Sequence, residues 1–371
     1  QGYAPTIIER GDGVGGRIRS DQHQGLPLDH GFQVLLTRYP AARKYLDMEA
    51  LDLVHFAPGA IIYKNGKPHR FGDPLRDSSF LTATAFSSMA SMSDKWKVFR
   101  LSQYLKRKSL TAIFKAPETT TIDYLEGKGF SKKVINHFFR PFFGGIFLES
   151  ELSTSSRMFE FIFKMFGNGY AAIPKAGIQE IAKHLANQLK KTTFHTDTTA
   201  SLRDDGKVEL SNGEIMVADA VIYAYNNDTT AWKGCTTYYY KVSNRILKGR
   251  IIGLLADEGS KINSFHYLAD DLLSVTTLES QQTDNIDLKI EEELKSKLKI
   301  EVVEMLKKYE IPRSLPNVQN VGEGNRSNLQ LLGNVPVTQA GDHLYYGSLN
   351  AAMHSGEVAA QTLLDYFASP T

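Results

Sequence analysis

The sequence predicts an α/β protein in which a doubly wound, Rossmann-like domain with a β-meander is interwoven with an α+β domain. Three observations carry this reading. A short apolar run, Thr6-Ile7-Ile8, ends on Glu9 and enters a glycine-rich loop that closes on Gly15-Gly16-Arg17. A second run, Ala220 to Ala224, is continuously apolar, the mark of a strand buried on both faces of a parallel sheet. Between them lies AIIYKNGKPHRF, in which Asn65-Gly66 joins two β-prone segments. An Asn-Gly pair in that setting signals a hairpin, which has no place in a parallel nucleotide-binding sheet.

An acidic residue at the tip of a parallel strand, beside glycines that let backbone approach a ligand, is how doubly wound folds hold the ribose and pyrophosphate of a dinucleotide. Gly11, Gly13 and Gly16 also satisfy G-x-G-x-x-G, the first strand-to-helix turn of such a unit. That motif opens a helix. The next residues, RIRSDQHQGLPLDHG, have no helical apolar period and contain Gly25 and Pro27, and no acidic strand end appears about 20 residues on. Ile7 to Glu9 is therefore read as the second strand of the unit, with Glu9 as its ribose acid. On this reading the first strand, its phosphate-binding glycines and most of the crossover helix lie upstream of Gln1, and QGYAP reads as a helix end with a glycine stop. The expectation is a natural chain longer at its N-terminus by roughly 25 to 35 residues, one βα element.

Glu9, the GxGGR of Gly13 to Arg17, and Asp29-His30-Gly31 resemble the second half of the FAD site in the flavin amine oxidase superfamily. That superfamily includes amine oxidases, protoporphyrinogen oxidases and phytoene desaturases. The other half is matched at the far end, where Ala340-Gly341-Asp342 precedes GSLNAAMHSGEVAAQTLL. The resemblance makes the doubly wound domain FAD-binding and the α+β part a substrate domain. It also implies that FAD is noncovalent, since relatives with attached flavin place a cysteine just after the glycine-acid motif, where Leu344, Tyr345 and Tyr346 stand here. In the family the segment Leu28 to Leu36 runs beside the flavin ring, which gives His30 and Gly31 a cofactor contact; by itself the segment reads equally as a buried strand with a satisfied histidine. Tyr345 and Tyr346 are similar to the aromatic cage of amine oxidases, but the tryptophan expected just upstream is missing.

At 371 residues the chain exceeds one compact core, and two or three domains are expected. Hydrophobic residues at 42% and charged ones at 23% describe a soluble globular protein, and the net charge of +2 argues against nucleic acid as a partner. No apolar run reaches the length of about 18 residues that a membrane span needs. A single cysteine, Cys235, excludes a disulfide framework, and the histidines lack metal-ligand spacing, so no metal is expected. Neither G-x-S-x-G nor a Walker sequence occurs. The expected location is a reducing cytoplasm.

In chain order, 1–38 form the first part of the FAD-binding domain and Tyr39-Pro40 opens an amphipathic segment, AARKYLDMEALDL, with proline at the first helical turn. Residues 39–166 form the first part of the substrate domain, the hairpin followed from about Leu75 by an aromatic helical region. Between Asp94 and Lys133, ten basic residues face four acidic ones around Trp96, Phe99, Tyr104, Leu105 and Phe114. That excess reads first as a solvated basic face over an ordinary core and second as a surface for anionic lipid, a peripheral membrane contact. FFRPFFGGIF, Phe138 to Phe147, is core or pocket lining, too short to span. Residues 167–226 return to the FAD-binding domain. Pro174 to Gly177 lead into a helix with Ile178, Ile181, Leu185 and Leu189 on one face, followed by a meander turning at Asp205-Gly206 and Asn212-Gly213. Residues 227–317 resume the substrate domain with strands at Thr236 to Val242, Arg250 to Leu255 and Leu272 to Leu278. A long helix, LKIEEELKSKLKIEVVEMLKKY, then stops before Pro312, its charges solvent-facing pairs.

Residues 318–371 complete the FAD-binding domain. A strand from Pro336 to Ala340 precedes Gly341-Asp342, and Gly347-Ser348 opens a helix carried by Leu349, Met353, Val358 and Leu363. Unpaired amides at that helix start, with its dipole, favour an electron-rich group by about 0.3 to 1 kcal/mol. The resemblance places Gly341 and Asp342 at the ribityl or pyrophosphate groups, and Gly347, Ser348 and Leu349 at the flavin O2 locus. The activity expected is an FAD-dependent oxidoreductase abstracting hydride from a hydrophobic small molecule, desaturase-like or porphyrinogen-oxidase-like. Alternatives are a flavin-dependent amine oxidase and a noncatalytic flavin- or lipid-binding protein of the same fold. No residue reads as a catalytic base.

Overall fold

The computed structural model describes residues 3–72, 76–77, 89–225, 230–324 and 326–369. Thr6–Ile8 pairs in parallel with Thr193–His195, Ile7 opposite Phe194, and Glu9 comes next with its amide donating to the His195 carbonyl at 2.8 Å. Past the glycine loop the chain forms an antiparallel hairpin, Ser20–His23 with Leu26–Asp29, so the literal glycine fingerprint opens no helix. The meander is Ala200–Leu202, Val208–Leu210 and Ile215–Met216, antiparallel throughout. Val221–Tyr223 pairs in parallel with Val335–Gln339, which Gln330–Leu332 flanks on its other side. Among the described residues no ladder joins this sheet to the Thr6–Ile8 pair. One expectation is corrected here: Val221–Tyr223 is not buried on both faces, because it is the edge of a three-stranded sheet and Ile222 is 41% exposed.

The second architecture is a seven-stranded sheet in the spatial order Val302–Pro316, Trp232–Val242, Leu272–Leu278, Ser264–Tyr267, Ile252–Leu255, Gly59–Lys64, Lys67–Gly72. Its last two strands are the hairpin, with Asn65 and Gly66 both at positive φ, 52° and 70°, as its two-residue turn requires. Within this sheet only the Gly59–Lys64 to Ile252–Leu255 pairing is parallel. Another three-stranded sheet, Leu35–Leu36 and Leu53–His55 on either side of Ala171–Pro174, links distant parts of the chain.

The long helix expected from Leu288 to Tyr309 is wrong over its second half. The helix runs Ile286–Leu298 and stops at Lys299, which is left-handed at φ 59°; Val302–Pro316 is then a 15-residue strand. Ile300, Val302 and Val303 are β-branched and lose rotamer freedom in a helix, whereas Trp232–Val242 offers an open edge to pair with. The strand is itself the sheet's edge, which is why it tolerates Pro312 and solvated lysines and glutamates. Ile286, Ile290, Leu294 and Leu298 seal the helix onto Tyr238, Tyr240, Leu273 and Val275 of the sheet.

The helical region contains Met92–Arg107, Leu110–Phe114, Thr121–Gly127, Arg140–Phe147 and Ser156–Asn168; the expected beginning near Leu75 lies partly outside the described residues. Ser91, Ser109, Thr120 and Ser155 cap four of these helices, each accepting a first-turn amide. Between Lys132–Val134 and Arg140–Phe147 the chain makes a π-helical turn, Ile135–Phe139. Phe139, Phe143, Phe147, Phe159 and Phe161 fill the main core. Two buried carboxylates tie it down. Glu160 meets Lys108 at 2.5 Å and accepts from Tyr124 at 2.7 Å, and Glu149 accepts from Lys233 at 2.7 Å, bridging to the sheet. The helix after Gly177 spans only Glu180–Asn187, leaving Leu189 beyond its end and exposed. The C-terminal helix, Leu349–Ala368, is capped by Ser348 and buries Ala351, Ser355, Ala359 and Leu363.

Glu293, read from sequence as one of the solvent-facing charges, instead accepts from Ser260 Oγ at 2.7 Å and from the amides of Lys261 and Ile262 at 3.0 and 3.2 Å. Glu293→Ala leaves the Lys261 and Ile262 amides without their acceptor. We expect a loss of about 1 to 3 kcal/mol, read as a lower urea midpoint; an unchanged midpoint would refute this clamp.

Candidate functional site

Glu9 ends its strand with the carboxylate turned back on the loop, Oε1 accepting from the Gly11 amide at 2.7 Å. The loop is fastened at both of its ends. Asp12 holds Arg19 at 2.7 Å, and Gly15 and Gly16 sit at φ 123° and 57°. A side chain at Gly16 would meet nothing within 4 Å, so this stretch of backbone is open to a ligand.

Arg17 joins the two ends of the chain. Its guanidinium reaches Asp342 Oδ1 at 2.5 Å and the Ser314 carbonyl at 2.6 Å, and lies 5.0 Å over the Trp232 ring. Asp342 is buried, while Arg17 keeps over a third of its side chain in solvent. The N-terminal glycine motif and the C-terminal Gly341-Asp342 motif, 325 residues apart, are thus in direct contact. Gly341 is positioned by the Ser355 hydroxyl, which accepts its amide at 2.8 Å. Gly347 packs on Leu315 and Pro316, Ser348 uses its hydroxyl to cap the helix through the Ala351 amide at 3.1 Å, and Leu349 packs on the main core.

His30 and Gly31 lie against the same strand. The His30 ring stacks on Tyr309 at 4.1 Å, its Nε2 3.2 Å from Asp21, and a side chain at Gly31 would meet Ile311. Tyr309 in turn donates to Asp21 at 2.6 Å. The register of Val302–Pro316 on Trp232–Val242 slips between Lys233–Leu315 and Cys235–Ile311, so Pro312 to Ser314 bulge from the ladder. That bulge aims the Ser314 carbonyl at Arg17. Tyr309, Ser314 and Trp232 are site neighbours that sequence reasoning missed; the β-branched residues after Lys299 were the available signal.

Asp29 holds the loop to the next helix. Its carboxylate accepts from Ser20 Oγ at 2.6 Å and from the Ile178 amide at 2.9 Å, and its carbonyl accepts from Tyr239 at 2.8 Å. Gln179 completes the link by donating to the Val14 carbonyl at 3.2 Å. Gly177, at φ 107°, permits this closeness, since a side chain there would meet Ser20 Oγ at 2.5 Å. Burial pushes the Asp29 carboxyl up from its ordinary value, against the opposing pull of Ser20 and Ile178.

A cavity of about 400 Å³ opens beside this frame. Phe138, Phe142, Phe143, Phe163 and Phe166 line it, as expected of the Phe138 to Phe147 run, and Phe56 lies in its buried wall. Phe56 meets Phe32, the residue after Gly31, at 5.7 Å, and both touch His266, at 5.7 and 4.4 Å. Burial, aided by the charge of Arg250, pushes the His266 imidazole down to about 3, so it stays neutral and offers no proton near pH 7. A second hollow of about 480 Å³, with Gln22, Lys175, Glu180 and His184 in its wall, is polar and does not suit an apolar guest. Tyr345 and Tyr346 are not a cage: they are 0% and 1% exposed, Tyr346 packed between Phe114 and Phe161.

The profile of the family described as flavin-containing amine oxidoreductase matches residues 1–234. No curated protein matches the sequence significantly. Among solved structures, one assigned as a protoporphyrinogen oxidase from Exiguobacterium sp. 255-15 superposes with a TM-score of 0.65 at 14% identity, over 98% of this chain and 93% of that one. A triple mutant of putrescine oxidase, redesigned in its cofactor binding, gives 0.66 at 14% identity, over 98% and 93%. A fatty acid isomerase from P. acnes that produces CLA gives 0.66 at 13% identity, over 98% and 92%. At such identities the likeness is one of fold.

The Asp29 network sets a pH signature. Because its carboxyl is raised in the folded state, ionisation costs stability as pH rises from the unfolded value near 3.8 through the folded one, and the cost is constant above that. Asp29→Asn, which keeps an acceptor oxygen, should gain on wild type over that rise in a urea series, whereas Asp29→Ala should lose about 1 to 3 kcal/mol at every pH. Parallel pH profiles for wild type and Asp29→Asn would overturn the assignment.

Proposed function

The chain belongs to the family of flavin-containing amine oxidoreductases, and from that premise we propose that it is an oxidoreductase whose flavin is noncovalent FAD and whose substrate is an apolar molecule. The residues present fit such a cofactor. Glu9 stands at the end of a parallel strand, the place of a ribose acid. Gly16 leaves backbone open, and Arg17 with Asp342 brings the second motif to the first. On this reading Glu9 binds the adenosine ribose, Gly13, Gly15, Gly16 and Arg17 face the pyrophosphate region with Gly341 and Asp342, and His30, Gly31 and Gly347 to Leu349 border the ring. Bound FAD supplies hydride acceptance; the protein supplies orientation, dryness and charge. Arg17 is a cation placed to exchange its Asp342 contact for a phosphate.

The phenylalanine-lined cavity carries the substrate reading. Its wall meets the Gly31-Phe32 segment through Phe56, and a dry, neutral His266 closes that junction. An apolar guest gains from such a wall, while a cationic amine would lose its hydration there without an aromatic cage, since Tyr345 and Tyr346 are sealed in the core. A desaturase-like or porphyrinogen-oxidase-like substrate is therefore favoured over an amine. Burial leaves the His266 imidazole a weak proton acceptor, and direct hydride abstraction needs no base there. We further divide the chain into a cofactor domain, 1–38, 167–226 and 318–371, interwoven with a substrate domain, 39–166 and 227–317.

Two measurements test this. Glu9→Gln loses part of a charge-assisted hydrogen bond, each worth roughly 1.5 to 3 kcal/mol, and should weaken FAD at least several-fold in a fluorescence titration; equal affinity would remove Glu9 from the site. In anaerobic mixing, the visible absorbance of the oxidised flavin should bleach with a porphyrinogen or a polyene precursor and not with putrescine. Reduction by the diamine alone would sink the apolar reading.

A further inference from the structure

Among the described residues, the helix Met92–Arg107 has an outer face that nothing covers. Asp94, Leu101 and Leu105 are its buried side. On the other side Met92, Trp96, Phe99 and Gln103 succeed one another at helical spacing, and the first three are 70%, 60% and 40% exposed. Trp96 and Phe99 stack on each other at 5.6 Å. Scattered exposed apolar residues are ordinary. These form a stripe, and the same residues line the cavity described above, so the stripe is its rim.

Two cations, Arg76 and Lys95, stand in the cavity lining, and the basic residues between Asp94 and Lys133 extend the positive charge along the same helical region. Of the four acids among the ten basic residues between Asp94 and Lys133, Asp94 is bound by Ser91 and Ser131, Asp123 by Thr120, and Glu118 takes the Val321 amide. Lys95 and Lys133 are close enough to repel each other, Lys97 donates to the Gly129 carbonyl, and Lys128 lies 5.9 Å over the Tyr104 ring.

We propose that this face docks on a bilayer containing anionic lipid, with Met92, Trp96 and Phe99 entering the boundary between headgroups and acyl chains, so that an apolar substrate passes from lipid into the cavity without crossing water. The passage, though not the docking, rests on the apolar-substrate reading. Amphipathic tryptophan and a cationic surround are what an interfacial helix needs. A second copy of the chain is the rival occupant, and like charge opposes pairing this basic face with itself.

The test is co-sedimentation of the FAD-loaded chain with vesicles of phosphatidylcholine alone, and with phosphatidylglycerol added at about one part in four. Binding is expected to the anionic vesicles, falling at least about ten-fold between 0.1 and 1 M salt as the screening length drops from roughly 10 to 3 Å. The double variant Trp96→Ser/Phe99→Ser should weaken it by at least about ten-fold. Brominated lipid should quench tryptophan emission in the unaltered protein and not in Trp96→Ser, a readout that does not depend on how the double variant folds. No binding to anionic vesicles, or binding without quenching, overturns the docking, as does a dimer that Trp96→Ser dissociates. Flavin reduction by detergent-dispersed substrate decides the other reading separately: reduction without vesicle binding removes the docking alone, and vesicle binding with reduction only by amines removes the substrate reading alone.

Discussion

The pairing of Val302–Pro316 with Trp232–Val242 is the constraint on which the site depends. Ten residues of the inner strand have partners on the outer one, and between Cys235 and Lys233 the ladder is interrupted by a bulge where Pro312 cannot donate. From that stretch Tyr309 receives His30, Ile311 backs Gly31, the Ser314 carbonyl receives Arg17, and Leu315 and Pro316 support Gly347. Segments from both ends of the chain are therefore indexed against one strand edge. A slip of one residue would turn each of these side chains to the opposite face.

Charge is used differently in the frame and in the site. Glu149 with Lys233 and Glu160 with Lys108 are buried pairs with further hydrogen bonds, and removing one partner of such a pair leaves a costly lone charge. Ser153, Lys233 and the Thr154 amide hold the Glu149 carboxyl below its usual range in spite of burial. The first pair fixes the helical region to the sheet, and the second ties its helices to one another. Arg17 and Asp342, by contrast, form a half-open pair in which the cation keeps access to solvent. Such a pair can exchange partners more readily than a buried one.

The apolar cavity and the Gly31-Phe32 segment meet through three rings, Phe32, Phe56 and His266, so that the segment carrying His30 and Gly31 also shapes the cavity wall. The fold is shared with proteins of dissimilar chemistry, a putrescine oxidase and a fatty acid isomerase among them, so fold alone does not fix the substrate. The substrate is thus argued from the wall.

The sequence alone determined the elements whose signals are local. Asn65-Gly66 fixed a hairpin, Gly206 and Gly213 fixed the meander, and Ser348 fixed the start of the last helix, because positive φ and capping are properties of a few adjacent residues. The two motifs at the chain's ends pointed to the family whose profile matches residues 1–234. The stretch from Leu288 to Tyr309 shows the limit: its lysines and glutamates satisfy a helical pattern and equally an exposed edge strand, and only the open edge of Trp232–Val242 decided between them from Ile300 onward. Burial was likewise decided by neighbours, so an apolar run at Val221–Tyr223 became an edge strand and a tyrosine pair at 345 and 346 became core. The contact of Arg17 with Asp342 spans 325 residues, and no local propensity encodes a distance of that kind.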